Sequence, residues 1–144
     1  VGPERSGTTV HIDPLATAAW NTLIVGKKRW VLFPPHVHKN IAKGKHFVCK
    51  GEDDEAIHYF MTILPRIKAK AIEIGNRGMF KDFACYEFTQ EAGETVFIPN
   101  GWWCVTILMR MMILRIFVCF DTSLMIHDTS EMQHALLTFP GTES

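Results

Sequence analysis

The chain has 144 residues, 47% of them hydrophobic and 21% charged, with Gly and Pro together at 17. That is one ordinary globular domain, and it excludes collagen-like, coiled-coil and disordered classes. Basic and acidic residues tie at 15 each, which removes the strongly basic balance of a domain built on phosphate contacts. The tie hides an asymmetry: residues 1–50 hold eight basic and two acidic groups, residues 51–144 seven and thirteen. A basic first third keeps nucleic acid open as a secondary partner, but an uneven solvated surface explains the same count.

The four cysteines, Cys49, Cys85, Cys104 and Cys119, show no C-x-x-C and no zinc spacing, and nothing like a signal peptide precedes them; a reducing compartment is expected. A chain that opens on Val1-Gly2-Pro3 is expected to be a fragment of one domain whose N-terminal part lies upstream.

In chain order, Thr8–Asp13 alternates as a strand does, and Pro14 stops it because it cannot donate to a ladder. His11 and Asp13 then share a face. Ala18–Val25 and Lys28–Phe33 are β-rich runs around Gly26-Lys27, a spacing that reads as a tight hairpin, and Pro34-Pro35 ends the second run. The polar stretch 36–51 reads as a surface loop.

Four acids, Glu52 to Glu55, stand ahead of Ile57, Tyr59, Phe60, Ile63 and Leu64, as in an amphipathic helix with acids at its positive end, closed by Pro65. Residues 85–90 and 94–98 read as strands around Glu91-Ala92-Gly93, and Pro99-Asn100-Gly101 leads into another from Trp102. The apolar run from Trp102 to Phe120 has the length of a membrane span, but Arg110 and Arg115 lie inside it. Each would cost about 2.5–3.5 kcal/mol near a bilayer centre, so no span is expected. Residues 123–137 have weak helical spacing. Short strands with one inserted helix predict a mainly β fold, a sandwich or barrel of the jelly-roll kind.

On a strand, His11 and Asp13 aim an imidazole and a carboxylate at one point, which is half of a metal site; a His hydrogen-bonded to a nearby Asp explains the same three letters. Lys28 falls on the same strand face as Trp30 and Leu32, where a buried ammonium needs an anion to meet it. Trp102-Trp103 are compatible with core aromatics at a strand start. The remaining histidines, His36, His38, His46, His58, His127 and His134, have no ligand spacing and read as surface or capping residues.

The segments Thr8-Thr9-Val10-His11-Ile12-Asp13-Pro14-Leu15, Ala19-Trp20-Asn21, Gly26-Lys27-Lys28-Arg29-Trp30 and Gly93-Glu94-Thr95-Val96-Phe97-Ile98-Pro99-Asn100-Gly101-Trp102-Trp103 occur in one known order. In them the chain resembles the Jumonji C (JmjC) oxygenases, over roughly residues 1–35 and 52–104. The resemblance implies a double-stranded β-helix of the cupin type that uses Fe(II), 2-oxoglutarate and O₂. It implies lysyl hydroxylation, or demethylation of histone or arginine residues, on a lysine- or arginine-bearing protein tail, and placement in the nucleus. By the same resemblance His11 and Asp13 are metal ligands, Lys28 pairs with the distal carboxylate of 2-oxoglutarate, and Thr8 and Asn21 hydrogen-bond it.

The resemblance breaks where the family places the second histidine of its iron-binding triad, because that position is Cys104. A thiolate can bind iron, but it is shorter than imidazole and adds negative charge, so iron affinity is expected to fall. Residues 105–144 diverge from the family, and its contacts from the strand after the triad cannot be carried over. Two explanations follow: a JmjC-like fold that survives as an inactive protein- or peptide-binding module, or a reading frame displaced near codon 104. In the shifted frame Met111-Met112-Ile113 reads Asp-Asp, as in the family's acidic stretch.

Overall fold

The computed structural model describes residues 2–52, 55–110 and 115–120. Along the chain it forms β1 (Gly7–His11), a 3-10 turn (Pro14–Ala16), β2 (Ala18–Leu23), β3 (Lys27–Phe33), α1 (Lys39–Ala42), α2 (Ala56–His58), a π-helical turn (Tyr59–Ile63) and α3 (Leu64–Ile74). A second 3-10 turn (Gly78–Phe80) precedes β4 (Tyr86–Gln90), β5 (Thr95–Ile98), β6 (Trp103–Arg110) and β7 (Arg115–Phe120). The expected helix at 123–137 lies outside the described residues.

All strand pairs are antiparallel, in two sheets ordered β1-β6-β3-β4 and β5-β2-β7. One cluster of buried side chains, Ala19, Val96 and Ile98 from the second sheet with Trp30, Leu32 and Cys104 from the first, lies between them. The opposite face of the first sheet, Val10, Val31, Phe33, Val105 and Ile107, packs on Tyr59, Phe60, Ile63, Leu64 and Ile67 of the helical segment. Sheet β1-β6-β3-β4 is therefore covered on both faces, which is why Lys28 to Phe33 is almost continuously buried rather than alternating. Full burial of side chains such as Phe33, Leu64 and Ile67 contributes about 1.5–3 kcal/mol each. No helix among the described residues is long and apolar enough to cross a membrane.

The mainly β reading with an inserted helical segment holds, and three local expectations do not. First, Gly26-Lys27 is no hairpin: β2 pairs with β5 and β7, β3 with β4 and β6, so the turn is a corner that carries the chain from one sheet to the other. The chain from β4 to β5 makes the matching corner, and the two are joined where Leu23 N donates to Glu94 O at 3.0 Å and Gly93 N to Leu23 O at 2.7 Å. A short Gly-containing turn specifies reversal, but not whether the partner strand lies beside it or across the core.

Second, Pro65 does not close the helix. It falls at the start of α3, directly after the π-helical turn, where the lack of an N–H leaves the helical path intact through to Ile74. Of the four acids Glu55 stands at the N-cap of α2, at its positive end as expected, and Glu52 braces the segment from outside. It accepts from Cys49 N at 2.6 Å and Arg66 Nη1 at 2.8 Å, and lies 3.6 Å from His58 Nε2. The Arg66 hydrogen bond, then that of the Cys49 amide, holds its carboxyl down to about 2.

Third, residues 36–51 are not only a surface loop. Val37, Ile41 and Ala42 are buried in the helix-side core, and Tyr59 Oη donates to Ala42 O at 2.6 Å. His38 caps α1 by accepting from Asn40 N at 3.2 Å. Gly44 ends the segment at φ +65°, where a Cβ would strike the Ile63 side chain. Both the left-handed backbone and the close approach require glycine there.

Candidate metal and co-substrate site

Strand β6 carries Cys104 and Thr106 on one face, two residues apart. Opposite them in β1 stand His11 and Thr8, paired His11↔Cys104 and Thr8↔Thr106, with a β-bulge between Thr8 and His11. Three residues of β1 thus span two of β6. In a regular strand positions 8 and 11 would point to opposite faces; the extra residue brings both to the same cleft. The cleft is lined by Thr8, His11, Asp13, Lys28, Trp30, Ile98, Cys104 and Thr106 and is narrow.

At one end, ligand atoms of His11, Asp13 and Cys104 all lie within 4.8 Å of one another. His11 Nε2 is 3.4 Å from Cys104 Sγ and 3.5 Å from Asp13 Oδ1. His11 Nδ1 is 2.7 Å from Thr9 O. A carbonyl can only accept, so Nδ1 donates to it and Nε2 faces the other two groups, the arrangement in which a metal-binding imidazole is oriented by its far nitrogen. Burial, then the charge of Asp13, pushes the Cys104 thiol up to about 12.

Immediately after Asp13 the chain turns through Leu15 (φ 58°) and Ala16 (φ 53°), two non-glycine residues in the left-handed region, pinned by Thr17 Oγ1 donating to Pro14 O at 2.9 Å. Such residues cost of order 1–3 kcal/mol each and persist only where surrounding structure fixes them. Here they hold the loop that presents Asp13.

At the other end, Lys28 is 1% exposed, its Nζ 3.1 Å from Asn21 Oδ1 and 4.0 Å from the centre of the Trp30 ring. Asn21 sits behind the cleft on β2, and its Nδ2 is buried with no hydrogen-bond partner among the described residues. Thr8 Oγ1 and Thr106 Oγ1 are 3.0 Å apart. The end is therefore rich in donors and holds an orphaned one, which suits an anion.

A polar brace supports it. Trp30 Nε1 donates to Gln90 Oε1 at 2.8 Å, and Gln90 Nε2 to Asn21 O at 2.7 Å and Glu94 O at 2.9 Å, linking the two sheets.

Every expected site residue thus lies at one place: Thr8, His11, Asp13, Lys28 and Cys104 line the cleft and Asn21 touches it through Lys28. Sequence reasoning missed Thr106 and Gln90. Strand alternation from Cys104 was signal enough for Thr106; nothing in the sequence marked Gln90, whose role arises from two corners meeting. A larger cavity lined by Ala71, Asn76, Phe80, Asp82 and Phe83 lies elsewhere, at the end of α3, and holds none of these groups.

The donor sets differ in how they suit the groups that JmjC resemblance implies. Lys28 with the orphaned Asn21 Nδ2 fits a carboxylate such as that of 2-oxoglutarate. His11 and Asp13 fit a divalent metal, but Cys104 does not complete the two-histidine, one-carboxylate set that suits non-haem iron(II).

A family model for the JmjC domain, hydroxylase, matches residues 1–113. The bifunctional arginine demethylase and lysyl-hydroxylase of Caenorhabditis briggsae is 43% identical over 113 residues, covering 74% of this chain and 25% of that protein. An arginine-specific demethylase of Arabidopsis thaliana is 38% identical over 114 residues, covering 74% and 19%. A 2-oxoglutarate and iron-dependent oxygenase of Danio rerio is 29% identical over 106 residues, covering 71% and 21%. The chain spans about a quarter or less of the length of these relatives.

Proposed function

The chain belongs to the JmjC domain hydroxylase family, and from that premise we propose that it serves a 2-oxoglutarate-dependent oxygenase acting on lysine- or arginine-bearing protein segments, of lysyl-hydroxylase or arginine-demethylase type. In this reading the two facing sheets are the body of a double-stranded β-helix. The observation that carries it is the buried Lys28–Asn21 pair, with its orphaned amide nitrogen, opening on the same cleft as His11 and Asp13. A buried donor left unmade, as Asn21 Nδ2 is, is costly unless a ligand acceptor meets it there.

The chain's own residues divide the work. Lys28 and Asn21 bind the distal carboxylate of 2-oxoglutarate, and Thr8 with Thr106 orients it from the β1–β6 side. Trp30, Leu32 and Ile98 exclude water around it, and Gln90 locks Trp30 and the Asn21 backbone in place. His11 and Asp13 hold the metal that, with 2-oxoglutarate and O₂, supplies oxidising power in the family. Because Cys104 departs from the iron set, no oxidative step is derived for the chain as written.

Binding of 2-oxoglutarate followed by calorimetry tests the reading. The natural chain binds, and Lys28→Met weakens binding about 10- to 100-fold, the worth of a charge-assisted hydrogen bond; equal affinity in both overturns it. One observation, Cys104, favours a second reading, a binding module without turnover. Succinate formation by the chain and by Cys104→His separates the two: turnover regained in the variant alone locates the loss at that sulfur.

A further inference from the structure

Resting on the reading of the cleft as a metal and 2-oxoglutarate site, we infer that His11, Asp13 and Cys104 form a three-donor site with one open position for a thiophilic divalent ion of the zinc class, in place of iron(II). Three observations carry it.

The first is the spacing of the donors. With zinc–sulfur bonds of about 2.3 Å and zinc–nitrogen or –oxygen bonds of about 2.0–2.1 Å, tetrahedral angles set sulfur and nitrogen about 3.6 Å apart and nitrogen and oxygen about 3.4 Å apart. The Sγ–Nε2 and Nε2–Oδ1 separations are 3.4 Å and 3.5 Å, and the third pair, sulfur and carboxylate, lies within 4.8 Å. Adjacent N and O donors of an octahedral ion with bonds of about 2.1 Å stand only about 3.0 Å apart.

The second is the orientation that Thr9 imposes. His11 Nδ1 lies 2.7 Å from Thr9 O, which turns Nε2 toward both Cys104 Sγ at 3.4 Å and Asp13 Oδ1 at 3.5 Å, as a metal-binding imidazole is oriented through its far nitrogen.

The third is chemical type. Thiolate softens the donor set, and among divalent ions of the first row zinc already outranks iron(II) at mixed nitrogen, oxygen and sulfur sites. Zinc has no redox chemistry, so a chain loaded this way follows the second reading above, a module that binds 2-oxoglutarate and a protein segment without turnover.

Cobalt(II) is the probe, because its spectrum reports both thiolate ligation and coordination number. Metal-free full chain is titrated with cobalt(II) under anaerobic conditions, then challenged with zinc(II) or iron(II). The expected result is one cobalt per chain, a near-ultraviolet thiolate-to-cobalt charge-transfer band and intense four-coordinate visible bands. One equivalent of zinc erases them, and a tenfold excess of iron(II), about that much, leaves them in place.

Cys104→Ser, nearly isosteric at this buried position, loses the charge-transfer band while Cys49, Cys85 and Cys119 remain. Cys104→His narrows the preference for zinc over iron(II) by at least about tenfold. A weak six-coordinate spectrum, a band that survives Cys104→Ser, or displacement of zinc by iron(II) overturns the inference. Asp13→Asn, which leaves the thiol in place, must weaken cobalt binding; unchanged affinity also overturns it. Calorimetry with 2-oxoglutarate on the same samples keeps the two readings apart: the charge-transfer band without 2-oxoglutarate binding sinks the proposed function alone, and 2-oxoglutarate binding without the band sinks only the zinc assignment.

Discussion

The two faces of sheet β1-β6-β3-β4 are built from alternate residues of the same strands, yet they do opposite things. Toward the helical segment, Val10, Val31, Phe33, Val105 and Ile107 make a dry layer whose worth is burial. A charged cluster there, Glu87 with Arg29 and Lys68, sits where the side chains are still partly in water, and Arg29 also lies 5.1 Å from the centre of the Phe60 ring. Toward the second sheet, Lys28, Gln90 and Thr106 are buried beside Trp30, Leu32 and Cys104, and Asn21 meets them from across the core. The difference teaches where stability and function were placed: one face holds the sheet together and the other accepts buried polar groups that a core alone would not keep.

Four substitutions break or sharpen that contrast. The largest effect falls on the dry face: Phe33→Ala leaves a cavity and loses about 3–5 kcal/mol in urea unfolding, and a loss under about 1 kcal/mol would show that the helical segment is not the main partner of the sheet. Behind it, Gly44→Ala forces a Cβ against Ile63 in left-handed backbone and loses about 1–3 kcal/mol by the same measurement.

On the polar face, Trp30→Phe keeps the ring but strands Gln90 Oε1, for about 1–2 kcal/mol. It also loosens the Asn21 backbone, so weaker 2-oxoglutarate binding should accompany the loss of stability. Lys28→Met has the smallest stability effect of the four, within about 1 kcal/mol of zero, because removing a buried charge offsets the lost hydrogen bond. A large destabilisation there would make Lys28 a structural brace rather than a binding residue.

The dry face also carries an acid dependence. Burial works against ionised Glu87, but hydrogen bonds from Lys68 and Arg29 prevail and hold its carboxyl below the ordinary 4.5. A carboxyl lowered in the folded state adds stability that is complete above its unfolded value and fades as pH falls through the folded one. Thermal unfolding between pH 7 and pH 3 should therefore show Glu87→Gln losing less stability than the natural chain below about pH 4.5, with the two parallel above it.

Much of this was legible before any coordinates. Period-two patterning put His11 with Asp13 and Lys28 with Trp30 and Leu32; Thr8, Asn21 and Cys104 were named by the family resemblance, and tertiary structure brings them to the same cleft. What escaped were relations between segments distant in the chain. The corner at Gly26-Lys27 looks like any tight turn, since the residues that reverse the backbone are the same whether the next strand lies alongside or opposite. The bulge that brings Thr8 to His11's side leaves no mark, because an extra residue is defined only against the partner strand. Pro65 reads as a stop until a π-helical turn ahead of it removes the conflict.

The sequence by itself determined the mainly β class and the shared faces of His11 with Asp13 and of Lys28 with Trp30, because these are properties of residue type and local spacing; the family, the other candidate residues and the departure at Cys104 came from its resemblance to a known family. Only the tertiary structure decided that sulfur, imidazole and carboxylate stand within 4.8 Å of one another, that Lys28 is buried against Asn21, and that Gln90 ties two corners together. Those are distances between strands dozens of residues apart, fixed by register, bulge and the packing of two sheets, and no local pattern encodes a register.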